Sequence, residues 1–158
     1  MPITKIVSGG QTGADRGGLD AAIYCKVPHG GWCPKGRRAV DGVIPGKYLL
    51  QETASSDYLH RNEANVTDSD ATLIFSYGPL EGGSLRTAEF ATKHNKPWLH
   101  IDLGALEKDG AIKVVEWLKS KFPKQCVLNV AGSRESKAPG IQDKVMAIMI
   151  DVLANGSE

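Results

Sequence analysis

The sequence predicts an α/β fold, a three-layer sandwich in which helices cover both faces of a mostly parallel sheet. Three observations carry the prediction. Short apolar, β-branched runs alternate with longer stretches of helical periodicity along the 158 residues. The clearest run, residues 71–77 (ATLIFSY), is apolar apart from Thr72 and Ser76, as a strand covered on both faces should be. Three of the runs end in turns of small and polar residues, the joint that leads a parallel strand into its returning helix.

Each element follows in order. Residues 3–7 are short and apolar, stop at Ser8-Gly9-Gly10, and predict a buried strand. Leu19, Ala22 and Ile23 then keep i, i+3, i+4 spacing, so a helix runs to about residue 26, where Pro28, Gly30 and Gly31 break it. Gly17 and Gly18 fall inside that helix, where each costs about 1 kcal/mol relative to alanine. Close packing on the sheet or a later helix start would explain them. Residues 29–48 predict a long loop with a short strand near Trp32, a length that often marks function. Residues 48–51 predict another short strand. A helix is expected over about 56–68, with Leu59 and Val66 on one face and Asn62 and Glu63 interrupting it. After the strand at 71–77 comes a second glycine-rich turn, then a helix with Leu85, Ala88 and Ala91 in register. Residues 97–101 predict a strand. Ala111, Val114, Val115, Leu118 and Phe122 form an amphipathic helix. Residues 126–131 (CVLNVA) are the last strand, and 132–136 a third polar turn. Ile141, Val145, Ile148, Met149 and Val152 define the closing helix, with a frayed tail over 155–158. The alternation makes the sandwich Rossmann-like, and one such domain is expected over residues 1–158.

Composition narrows the function. The net charge of +1 produces no broad field for nucleic acid or an acidic membrane, so any anion site must be local. No apolar run approaches the roughly 20 residues that span a bilayer, and the first residues lack the long apolar stretch of a signal peptide. A cytoplasmic location is therefore expected. Cys25, Cys33 and Cys126 show no CxxC spacing, which argues against a disulfide framework or structural zinc. Cys25 and Cys126 read as core, while Cys33 sits in the long loop. His29, His60, His94 and His100 show no metal spacing, and no protein-ligated metal is expected.

The chemistry should sit at the strand ends. Small residues there let backbone N–H groups face a ligand at a helix N-terminus, where the dipole favours an anion such as a nucleotide phosphate. The first turn offers Gly9, Gly10, Gln11, Thr12 and Gly13; Ser8 stands where GxGxxG needs its first glycine, and no Walker lysine follows. Asp15 and Arg16 open the helix behind it, as ligand groups or simply as dipole partners. Lys35 and Arg37, with Arg38, could clamp phosphate from the long loop or face solvent. Arg61, Asn62 and Asn65 interrupt an apolar helix face, a notch that an exposed edge would also explain. Gly82, Gly83 and Ser84 belong to the second turn, Thr87 and Glu89 open the helix after it, as ligand groups or simply as partners of the helix start, and Ser133 belongs to the third turn. No Ser-His-Asp set can be assigned from spacing.

The stretches SGGQTGADRGGLDAA, GWCPKGRRAVDG, SDATLIF and LNVAGSRESKAPGI together resemble the molybdenum cofactor carrier protein family, over roughly residues 5–153. That family is similar in turn to the lysine-decarboxylase-like phosphoribohydrolases. The resemblance implies a Rossmann-like homo-oligomer that binds molybdopterin or another phosphorylated small molecule. It would place Gly9, Gly10, Thr12 and Gly13 at the ligand, with Gly82, Gly83 and Thr87 as a second wall. The phosphoribohydrolase pattern PGGxGTxxE is broken here. Glu89 keeps its distance from the glycine pair, but the proline and third glycine are missing and the threonine comes one residue late. The leading expectation is a non-catalytic carrier or storage protein. The alternatives are a nucleotide hydrolase using Glu89 or Asp15 with Arg86 or Arg61, and a nucleotide-sensing module that acts through a protein partner.

Overall fold

The last strand of the chain lies in the middle of the sheet. The computed structural model describes residues 3–104 and 110–156. In chain order the elements are β1 (Ile3–Val7), α1 (Ala14–Tyr24), β2 (His29–Gly30), β3 (Trp32–Cys33), β4 (Arg38–Ala39), β5 (Gly42–Val43) and β6 (Gln51–Glu52). There follow α2 (Tyr58–Thr67), β7 (Ala71–Ser76), α3 (Gly82–Lys93), β8 (Trp98–Asp102), α4 (Gly110–Lys121), β9 (Cys126–Gly132) and α5 (Ile141–Gly156). The central sheet has five strands in the order β2-β1-β9-β7-β8, and every pairing in it is parallel. Moving the final strand and helix to the front of the chain would turn this order into the 3-2-1-4-5 of a doubly wound nucleotide-binding sheet. The winding reverses between β9 and β7, and ligands of such sheets bind outside the carboxyl ends at that reversal.

The two faces of the sheet differ. Successive strand residues point to opposite sides. Leu73, Phe75, Leu128 and Val130 join the main core with Val114, Leu118, Ile141, Val145 and Met149. That face carries α1, α5 and α4, with α1 against α5 and α4 against α5. The opposite face holds Thr72, Ser76 and Asn129, all buried, under the α2–α3 pair. Asn129 donates to the Thr72 hydroxyl at 3.3 Å, so the polar face is internally bonded.

Gly17 and Gly18 do lie within a helix, and close packing explains them. A Cβ on Gly17 would sit 2.6 Å from the Gln142 carbonyl of α5, and one on Gly18 would sit 2.7 Å from the Val130 side chain of β9. Helix α1 therefore rests on both elements of the terminal unit with no side chain between them.

Several boundaries shift. The strand expected at 48–51 is β6, which pairs in parallel with β3, while Tyr48 N–H bonds the Pro45 carbonyl in a turn. Two-residue β2 joins the main sheet and β4–β5 form a small hairpin; both were hidden inside the predicted loop. Pairs this short leave no periodicity to detect. Gly82 and Gly83 form the first turn of α3 rather than a turn before it. Helix α5 continues to Gly156, past the expected start of the frayed tail; residues 157–158 lie outside the described residues. Cys33 and Cys126 are buried and Cys25 is half-buried.

The replacement Gly17→Ala should destabilise the protein by about 1–3 kcal/mol, because its neighbour is backbone that cannot swing aside. Urea denaturation checks this: an unchanged midpoint would mean that α1 and α5 can separate freely.

Candidate functional site

A cleft of about 300 Å³ opens at the carboxyl ends of β1, β9 and β7, at the reversal of winding. Its walls come from four places. Gln11 and Asp15 follow β1, Ser133, Arg134 and Lys137 follow β9, and Ser76 and Tyr77 end β7. Helix α2 contributes Tyr58, Arg61 and Asn62, and α3 contributes Gly83, Ser84 and Thr87.

A buried ion pair forms one wall. Asp15 and Arg61 are 7% and 4% exposed, with 3.5 Å between Asp15 Oδ2 and Arg61 Nη1. Burial pushes the Asp15 carboxyl up, opposed first by the Arg61 charge and then by the Gln11 N–H that donates to it. Arg61 Nη1 also donates to the Gly9 carbonyl at 2.9 Å, and its Nε to Asn62 Oδ1. A buried charge needs such partners, since an unpaired one is strongly destabilising.

Positive charge on the β9 side is not matched in this way. Lys137 pairs with Glu81 at 3.0 Å, both largely exposed. The Arg134 side chain makes no hydrogen bond and no close ion pair among the described residues, although its charge acts on the Asp15 carboxylate; its guanidinium lies 4.8 Å from the centroid of the Tyr58 ring. Arg61 lies over the same ring at 5.4 Å. Gln11 adds a second unmet group. It is 2% exposed, its Nε2 donates to the Arg38 carbonyl, and its Oε1 has no partner. A buried acceptor left unpaired costs about 1–3 kcal/mol.

Of the residues expected at a ligand, Gln11, Asp15, Gly83, Ser84, Thr87 and Ser133 come together in this cleft. The bare backbone of the first turn faces protein. A Cβ on Gly9 would overlap the Arg61 guanidinium, and one on Gly10 would meet Leu50. One on Gly13 would sit 2.4 Å from the Ser133 carbonyl, at a φ of 91° that L side chains rarely adopt. Gly13 thereby lets the turns after β1 and β9 touch, and the Ala14 N–H donates to that same carbonyl. Arg16 turns away from the cleft into a two-bond pair with Asp41 at 2.6 and 2.9 Å. Arg37 donates to the carbonyls of Ile44, Pro45, Tyr48 and Leu50, closing its own loop. Thr12, Lys35, Gly82 and Glu89 are not among the cleft residues, and Glu89 pairs with Arg86 on the exposed surface.

Tyr58, Ser76, Tyr77, Arg134 and Lys137 escaped the sequence reading. For Arg134 a signal existed, a cation inside a strand-end turn. For Tyr58 there was none, because a tyrosine opening a helix is commonplace. Arg61 and Asn62 did stand out, as the polar break in an apolar helix face.

Ser76 and His100 form an arrangement that resembles a nucleophile and base. Ser76 Oγ lies 2.6 Å from His100 Nε2 and 2.7 Å from the Gly78 carbonyl. A hydroxyl has a single proton. The carbonyl can only accept, so Ser76 donates to Gly78 and accepts from His100 Nε2–H. The imidazole is therefore turned as a donor, with no lone pair available to activate the serine.

A family model described as the Circularly permutated YpsA SLOG family matches residues 6–153. The permuted strand order above agrees with that description. A solved structure from Syntrophus aciditrophicus SB, called a "Putative molybdenum carrier protein", is 51% identical with a TM-score of 0.88; the match covers 96% of this chain and 94% of that one. No curated protein matches.

The Arg16 bond holds the Asp41 carboxyl below the usual 3.8. A depressed folded-state value stabilises above the unfolded one and is lost as pH falls. Asp41 is half exposed, so Asp41→Asn should cost about 1 kcal/mol at pH 7. The gap from the parent should narrow progressively as pH falls below about 5 and through the depressed folded-state value; a urea-midpoint gap that does not narrow at all with falling pH would mean the charge is not its source.

Proposed function

Because the chain belongs to the circularly permutated YpsA SLOG family, we propose that it binds a phosphorylated small-molecule cofactor, the molybdenum cofactor, and serves as its carrier or store. The observation that carries this reading is the Arg134 guanidinium, which has no hydrogen bond or close ion pair among the described residues, in a cleft at the winding reversal. A guanidinium offers a planar fork of donors that matches the oxygens of a phosphate monoester. The 51% identical neighbour is called a molybdenum carrier, which supports the same ligand class.

The residues present fit such cargo. Arg134 and Lys137 would hold the phosphate, with Ser133, Gly83, Ser84 and Thr87 around it. Gln11 Oε1, buried and without a partner, suits an N–H or O–H of the ligand's uncharged part. Molybdopterin supplies its own dithiolene sulfurs to the metal. Among the described residues no group of three His, Cys, Asp or Glu side chains is placed to hold one. A hydrolase reading has less support, because Glu89 faces solvent and Ser76 is not activated. A homo-oligomer acting in the cytoplasm belongs to the same proposal.

Equilibrium binding of molybdopterin and of AMP to purified protein tests the reading. Binding should fall below about millimolar, where the free energy is only about 4 kcal/mol. Arg134→Gln should weaken it at least tenfold, since hydrogen bonds to charged groups contribute about 1.5–3 kcal/mol. If neither compound binds below millimolar, the carrier reading fails.

A further inference from the structure

We infer that Tyr58 is a positioning residue for a tetrahedral dianion, its ring holding Arg134 and Arg61 together so that their free N–H groups receive the ligand. This rests on the carrier reading and sharpens it, since it specifies what sets the anion's place.

The Arg134 side chain is long and half-buried, and among the described residues its guanidinium has no hydrogen bond and no close ion pair. It lies 4.8 Å from the centroid of the Tyr58 ring, well within the range where an aromatic face attracts a cation. That contact helps to set where the charge sits in the cleft. Tyr58 has a fixed backbone. It is the first residue of α2, and the preceding Asp57 caps the helix by accepting the Leu59 N–H at 2.9 Å.

The same ring carries a second cation. Arg61 lies 5.4 Å from its centroid. Its Nε and Nη1 are bonded to Asn62, Gly9 and Asp15, while its Nη2 has no partner among the described residues. Two like charges gathered on one ring repel, and the charge of Arg134 works against the protonated form of Arg61. Asp15 pairs closely with Arg61 and acts on Arg134 more weakly, so one carboxylate faces two cations, and both guanidiniums keep donors in reserve. A doubly charged tetrahedral oxyanion relieves the repulsion and uses those donors, since the Arg134 fork can bind two of its oxygens and Arg61 Nη2 can donate to another. That chemistry is shared by a phosphate monoester on an organic cofactor and by a free oxyanion such as inorganic phosphate or molybdate.

Binding of AMP, inorganic phosphate and molybdate to the full chain and to Tyr58→Phe, Tyr58→Leu, Arg134→Gln and the double variant Tyr58→Leu/Arg134→Gln tests the inference. Tyr58→Phe keeps the ring and should bind within about twofold of the parent. Tyr58→Leu should lose about tenfold. The double variant should bind no worse than Arg134→Gln, because the two changes remove one and the same clamp. Affinity for AMP well above that for the free ions identifies a monoester, and equal affinities identify a free oxyanion; both support the clamp. Parent-like binding by Tyr58→Leu, or additive losses in the double variant, overturns it and leaves the carrier reading standing. Failure of the parent to bind these three probes and molybdopterin removes both. Should Tyr58→Leu not fold, the Arg134 side-chain resonances of the parent decide: a ring-current upfield shift that moves on adding phosphate supports the stack, and its absence overturns it.

Discussion

Everything in this fold depends on β9 lying between β1 and β7. The strand pairs with β1 on one side and β7 on the other, so it joins β2-β1 and β7-β8 into a single sheet. Without it the chain would hold two separate strand pairs, and parallel pairs that small have little stability of their own. Its position also brings three distant turns together. The Ser133 N–H donates to the Phe75 carbonyl at the end of β7, and the Ser133 carbonyl accepts from Ala14 at the start of α1. The cleft exists because one turn is bonded to both of its neighbours.

The terminal unit fits only because the first helix leaves room for it. At Gly17 and Gly18, α1 presents bare backbone to α5 and β9. The long loop is held from the same region. Arg16 reaches Asp41, Gln11 reaches the Arg38 carbonyl, and Tyr48 donates to Asp20 at 2.6 Å. A small second core of Leu19, Cys33, Ile44 and Tyr48 sits beneath that loop. The cationic residues of this region thus hold the scaffold, and the positive charge lining the cleft comes from α2 and the turn after β9.

Near neutrality overall, the chain still builds a locally cationic cleft. Lys137 and Arg61 have close carboxylate partners, and the Arg134 guanidinium has no close ion pair among the described residues and lies against an aromatic ring. The buried Gln11 oxygen lies in the same wall region without a donor. Groups left unmet beside a strand-order reversal are what an anionic ligand with further polar edges would complete. The sheet face behind them is polar, with Thr72, Ser76 and Asn129 buried beneath α2 and α3.

The sequence by itself determined the layers. Apolar periodicity is a local property, so the long strands and helices were legible from β1 to α5, and with them the α/β class. It also drew attention to the strand-end turns, residues of which line one cleft, and it singled out Arg61 and Asn62 as an odd break in a helix face. The two-residue strands β2 to β6 carry no period, so only tertiary pairing reveals them. The tertiary structure alone decided the strand order, since pairing joins residues more than a hundred positions apart. For the same reason it alone decided which cations face the cleft. Arg16 and Arg37 were attractive candidates from their neighbours in sequence, yet partners brought in by the fold occupy them. Arg134 carried only the weak signal of a cation in a strand-end turn, and the fold set it against Tyr58 without a close ion pair among the described residues.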